Sequence, residues 1–252
     1  MTSAKPARGY LLCTSPRSGS TLLCDLLTRS RAAGAPESYF RPASIADYSK
    51  AWRLEPGRQA WGRSYLDAVR VHGESGTGCF GMRIMWSDMP ALLDRLGVLY
   101  PDADGDRARL VSALGINHFV HLARDDRVAQ AVSLVIASQT GLWHRNADGT
   151  IRQGGESAKA ARYDHGLIAD ALRMLETEQQ GWARWFSEQS IAPLDLSYEA
   201  LSTDPAETTR IVLDHIAMRS VDVPSIGTAK LATPLNSVWA KRFNAEQCSS
   251  RT

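Results

Sequence analysis

Residues 10–27 read YLLCTSPRSGSTLLCDLL. A short apolar run, a turn built from Ser, Pro, Arg and Gly, and a leucine-rich pattern follow one another without a gap. Gly9–Thr14 reads as a strand. Leu22, Leu23, Leu26 and Leu27 recur at helical spacing, with Gly34 as an end signal. A helix that opens straight after a strand presents unpaired amide N–H groups and the positive end of its dipole at the turn, where phosphate and sulfate bind. Gly19 lets backbone come close to such an anion, Ser18, Ser20 and Thr21 add hydroxyls, and Arg17 adds a planar charged fork. The plainer alternative is a polar turn with an N-capping serine.

A nucleoside triphosphate P-loop needs a lysine before its Ser/Thr and a wider glycine spacing, and neither is present. The remaining chain decides what frame the turn belongs to. Further strand-like runs are Cys79–Met85, Asn117–Ala123 and Pro193–Tyr198. Val128, Ala131, Val132, Val135 and Ile136 form a helical stripe, and a longer helix is predicted from about Tyr163 to Gln189. Asp204, Pro205 and Glu207 give the N-cap, first-turn proline and capping-box glutamate of another. Strands alternating with helices predict an α/β fold, a mainly parallel sheet covered on both faces.

In such sheets ligands collect beyond the strand C-termini. Arg124 closes the third run and Ser133 lies nine residues on, within the next helix. Singly, a surface charge and a solvated serine are the plain readings of these two. Together with the Arg17 turn they predict two anion sites in one crevice.

The 252 residues suit a single domain, 1–252, with less regular excursions near 38–78 and 141–155 as places for substrate recognition. The tail from Pro224 shows little regular pattern before Trp239–Phe243. A formal charge of +2 gives no reason to expect nucleic acid or a membrane surface as partner. The four cysteines are scattered, without metal-ligand spacing, and no apolar run approaches the roughly 20 residues of a membrane span. A cytoplasmic protein without a metal is the expectation.

The turn SPRSGSTLL and the later Arg124/Ser133 pair resemble sulfotransferases that use 3′-phosphoadenosine 5′-phosphosulfate (PAPS). More closely, the chain resembles the bacterial trehalose 2-sulfotransferase family of carbohydrate sulfotransferases. The resemblance rests on Tyr10–Leu23, AGAPESYF (33–40), GCFGMRIMW (78–86), FVHLARDDRVAQAVS (119–133), QTGLW (139–143), EQQGWARWF (178–186) and WAKRF (239–243), in that order. It implies a P-loop-like α/β sheet of sulfotransferase type and transfer of a sulfuryl group to a sugar hydroxyl. It also implies that Arg17, Ser18, Gly19, Ser20 and Thr21 hold the 5′-phosphosulfate and that Arg124 and Ser133 hold the 3′-phosphate. Lys230 falls in a segment that covers the nucleotide, and a homodimer is implied.

On the acceptor side the resemblance points to Tyr39, Phe40, Arg83, Trp86 and Trp143. Core packing is the plain reading of the two tryptophans, and a surface charge that of Arg83, where the family commonly has lysine. The family's base is a glutamate between a glycine and a proline; here that position is Ala35, and Ser38 replaces a second family acid. Glu37 is the carboxylate of this segment, either a substitute base or an exposed loop residue. Catalysis is therefore assigned to Glu37 with Arg17. The competing functions are a non-catalytic sulfonucleotide-binding protein and a nucleotide-dependent kinase. His121, inside a strand, reads as structural.

Overall fold

The computed structural model describes residues 8–54, 61–145, 151–153, 160–218 and 234–249. Four strands form one sheet: β1 (Arg8–Thr14), β2 (Cys79–Met85), β3 (Ile116–Ala123) and a fourth at Leu194–Ser197. All pairings in it are parallel. A two-stranded antiparallel hairpin, β4 (His144–Arg145) with β5 (Ile151–Gln153), lies in the 141–155 excursion, so the fourth sheet strand is β6. The sheet order is β2-β1-β3-β6.

The strands are apolar almost throughout because both faces are covered. Leu11, Cys13, Met82, Ile84 and Phe119 point to one face, which is packed by α3 (Arg63–Glu74), α4 (Met89–Leu99), α5 (Gly105–Leu114) and the C-terminal half of α7 (His165–Glu188). Tyr10, Leu12, Val120 and Leu122 point to the other, against α1 (Ser20–Arg29), α8 (Tyr198–Thr203) and α9 (Pro205–His215). A third cluster joins α6 (Arg127–Thr140), α7 and α10 (Pro234–Ser249) through Val132, Val135, Ile168, Leu175, Trp239 and Phe243.

Several boundaries follow from caps. Asp126, Asp164 and Asp204 each accept an amide N–H of the first turn of α6, α7 and α9. Elsewhere the structure is more regular than the sequence predicts. The 38–78 excursion holds α2 (Pro42–Ala51) as well as α3, and the tail holds α10. Helix α2 buries no residue fully, and α10 buries only Trp239 and Phe243, so neither shows a strong apolar stripe. Helices α4 and α5 fill the stretch between β2 and β3. Helix α1 ends at Arg29, capped by Ser30, four residues before Gly34.

Strand β1 lies at the centre, with β2 on one side and β3 on the other. The chain thus reverses its direction of winding at the β1/β3 boundary, and a crevice opens there beyond the strand ends.

Candidate active site

The turn after β1 is held open by its own side chains. Thr14 Oγ1 donates to the carbonyl of Leu122 on β3 at 2.8 Å and is hydrogen-bonded to Ser18 Oγ. Threonine has one hydroxyl proton, so Ser18 is the donor of that second bond. Ser18 is 0% exposed, and its hydroxyl ties the turn to the sheet. Gln130 on α6 adds a strap, with Nε2 donating to Ser15 Oγ at 3.1 Å and to the Pro16 carbonyl at 2.7 Å.

Two residues of the turn adopt left-handed backbone, Arg17 (φ 64°) and Gly19 (φ 85°). Such a conformation in an arginine is costly and is found where surroundings enforce it. Gly19 is the N-cap of α1 and supplies no side-chain cap. A Cβ on it would sit 2.7 Å from Tyr198 Cδ2, so the glycine is required by both angle and space.

The arginines expected at the nucleotide come together. Arg17 Nε donates to Ser133 Oγ at 3.0 Å, and Nη1 donates to the Trp143 carbonyl. Burial, and then the nearby charge of Arg124, hold the Arg17 guanidinium below its usual pKa. Arg124 lies over the Tyr198 ring, 4.3 Å from its centroid, with Glu199 Oε1 3.9 Å from its Nε. Its side chain is only 13% exposed, and its Nε is sealed without a hydrogen-bond partner. Two like charges this close, one with an orphaned donor, fit a multiply charged anion. The residues present thus suit a phosphorylated nucleotide of the PAPS type.

On the other side of α1, Arg83 joins three elements. Its Nη1 donates to Thr21 Oγ1 at 2.9 Å and to Ser20 Oγ at 3.4 Å, and its Nε donates to Ser38 Oγ at 2.9 Å. Its backbone N–H donates to the carbonyl of Glu37 at 3.1 Å, where a single bridge pairs Glu37 with Met82. Arg83 is thus not a free surface charge: it binds the start of α1 to the segment that carries Glu37.

The aromatic residues expected at the acceptor sit deeper. Tyr39 and Phe40 are 2% and 5% exposed. The Tyr39 hydroxyl donates to the Ala35 carbonyl at 2.6 Å, and its ring meets Tyr48 and Trp52; Phe40 packs on Trp61 and Tyr65. They form the floor under the Glu37 segment rather than its surface. Trp86 is half-buried, edge-on to Trp182 and pressed against Gly181, where a Cβ would lie 2.2 Å from the indole. Its indole also lines a cavity of about 400 Å³ with Met89, Leu93 and Arg109, to which the turn residues do not contribute. Trp143 enters the site by its carbonyl. Lys230 lies outside the described residues.

His121 is 6% exposed, with Nδ1 2.7 Å from Asp195 Oδ1 and the ring on Phe186, a structural position. Sequence reasoning missed Gln130, Tyr198, Glu199 and the role of Ser38. Tyr198 alone carried a signal: like Arg17 and Arg124 it follows the C-terminal end of a sheet strand. Among the described residues no group of three or more His, Cys, Asp or Glu is arranged to hold a metal ion.

Comparison with known proteins agrees with this geometry. The chain is 30% identical over 265 aligned residues to a trehalose 2-sulfotransferase of Mycobacterium tuberculosis (strain ATCC 35801 / TMC 107 / Erdman), covering 96% of this chain and 97% of that protein. A trehalose 2-sulfotransferase of Mycolicibacterium smegmatis (strain ATCC 700084 / mc(2)155) is 29% identical over 94% of both chains. A solved sulfotransferase domain from the Synechococcus PCC 7002 olefin synthase aligns over 96% of both chains with TM-score 0.42 and 14% identity, too distant a likeness to carry weight. The Stf0 sulphotransferase model matches residues 9–246, nearly the whole of the sheet and its helices, and the chain belongs to that family of sulfotransferases.

Proposed function

We propose that the protein moves a sulfuryl group from PAPS to a hydroxyl of trehalose or a related glycoside. The observation that carries this reading is the convergence of Arg17, Arg124 and Ser133 beside an uncapped helix start, in a chain similar along its length to two trehalose 2-sulfotransferases. When bound, PAPS supplies an activated sulfuryl group and a bisphosphate leaving group. The chain's part is to bind, orient and stabilise charge.

In this reading the turn amides, Ser20, Thr21 and Arg17 receive the 5′ side of the nucleotide. Arg124 and Ser133 receive the 3′-phosphate, with Tyr198 fixing the Arg124 plane. Lys230 belongs to the covering segment. Arg83, already bonded to Thr21 and Ser38, stands between donor and acceptor and meets the negative charge that builds during transfer. Glu37, in the next segment of the same network, takes the acceptor proton. Its half-buried side chain is close enough for its charge to raise the Tyr39 and Tyr48 hydroxyls, a smaller effect than that of their burial. Tyr39 and Phe40 act as the floor, and Trp86 and Trp143 as walls. No helix among the described residues is long and apolar enough to cross a membrane. A cytoplasmic homodimer completes the proposal.

Binding and chemistry are tested separately. Calorimetry is expected to show adenosine 3′,5′-bisphosphate binding equally well to the wild type and to Glu37→Gln, with no binding of Mg-ATP. Turnover with PAPS and a sugar is expected to fall by about 10²-fold or more in Glu37→Gln. Undiminished turnover would remove Glu37 from its role; tight Mg-ATP binding would favour a kinase.

A further inference from the structure

Helix α7 meets the C-terminal end of β1 at Trp182. Trp182 Nε1 donates to the carbonyl of Thr14, the last residue of β1, at 2.9 Å. One turn later Trp185 packs on Phe119, which pairs with Leu11 three residues lower on β1. The helix therefore descends along the sheet from Trp182 onward. Glu178, four residues before Trp182, lies about 6 Å along the helix from it, on the side away from Trp185. Thr14 marks the end of the sheet where the Arg17 turn and Arg83 sit.

Asp88 reaches the same level from β2. That strand ends at Met85, in register with Thr14, and a single 3-10 turn, Trp86–Asp88, follows. Trp86 of this turn presses against Gly181 of α7, which brings the two carboxyl groups into electrostatic reach. Glu178 is 6% exposed, and its Oε2 is sealed with no hydrogen-bond partner. Burial, then the Asp88 charge, raise its pKa to about 7. Burial also raises Asp88, and Arg41 at the start of α2 opposes that shift. Arg41 thus lies within electrostatic reach both of Asp88 and of the Tyr48 hydroxyl, on which Glu37 and Arg83 also act.

A buried carboxyl oxygen without a partner lowers stability unless something else occupies it. Packing does not require a charge at position 178: the apolar core contacts of α7 are made by Ile168, Leu175, Trp182, Trp185 and Phe186. Two carboxyl groups within electrostatic reach of each other, one readily protonated, offer both an acceptor and a donor to a neutral polyhydroxylated ligand.

We propose that Glu178 and Asp88 form the sugar-binding subsite of the acceptor, holding a pair of its hydroxyls that are not themselves sulfated. This rests on the carbohydrate reading above. Glu178 and Asp88 bind and orient; Glu37 remains the base.

The test is calorimetric binding of trehalose to protein saturated with adenosine 3′,5′-bisphosphate, in the wild type, Glu178→Gln and Asp88→Asn. Steady-state kinetics with PAPS are run alongside. Both variants are expected to bind sugar at least tenfold more weakly, to raise the acceptor KM by the same factor, and to leave bisphosphate affinity unchanged. A deoxy sugar lacking the held hydroxyl should bind the wild type as weakly as trehalose binds Glu178→Gln, with no further loss when the two changes are combined. Unchanged sugar binding in both variants beside a working wild type overturns the subsite alone. Weakened sugar binding without sulfuryl transfer supports the subsite and overturns the reaction. A wild type that binds no sugar overturns both.

Discussion

Arg83 Nη1 donates to Thr21 Oγ1 at 2.9 Å, across 62 positions of sequence, and so ties the start of α1 to a neighbouring strand. The same guanidinium reaches Ser38. An ammonium group cannot hold that planar fork. Arg83→Met is expected to lower kcat/KM by about 10–100-fold, the size of a lost charge-assisted hydrogen bond set, and Arg83→Lys to restore only part. Steady-state kinetics with PAPS and the best acceptor check this; full activity in Arg83→Met would show that the network is dispensable.

Arg124 should act on nucleotide affinity rather than on chemistry. Arg124→Ala removes the buried, orphaned Nε donor and relieves the charge that adds to burial in lowering the Arg17 pKa. Affinity for adenosine 3′,5′-bisphosphate is expected to fall by about 10–100-fold, with a smaller change in kcat at saturating PAPS. An unchanged dissociation constant by calorimetry would place the 3′-phosphate elsewhere.

Thr14→Val is a stability prediction. The hydroxyl bonds Leu122 and Ser18 in a fully buried setting, and the isosteric methyl removes both hydrogen bonds. A loss of about 1–3 kcal/mol is expected in urea unfolding. A neutral result would mean that water reaches the turn.

The pH dependence of Glu178 has a definite sign. Its folded pKa of about 7 exceeds the value of about 4.3 for an unfolded chain. The folded state therefore binds more protons between these values, and stability drains away as pH rises from about 4.3 to 7. Glu178→Gln removes that cost. The variant is expected to melt above the wild type at pH 8, with the gap closing by pH 5. A gap independent of pH would contradict a raised carboxyl.

The strand frame was legible because β1, β2 and β3 are buried on both faces and read as unbroken apolar runs; the predicted and observed ends agree to within a residue at each. The Arg17 turn was legible because its chemistry is local. Helices α2 and α10 were not, since each docks through one or two side chains. Arg83 was hard to place because its partners, Ser20, Thr21 and Ser38, come from two other segments. Ser38 reads in the sequence only as a missing acid, whereas in the fold it accepts from the guanidinium. Glu178 is hidden for another reason. A glutamate on a long helix reads as a solvated face until Trp182, one turn on, is seen to bond Thr14 at the end of β1.

The proposed reaction is transfer of a sulfuryl group to a glycoside. Incubating the protein with radiolabelled PAPS and trehalose, and separating the products, tests it most directly. Labelled trehalose with equimolar adenosine 3′,5′-bisphosphate is the expected result. Tight bisphosphate binding with no label on trehalose or on any glycoside in a panel would contradict it.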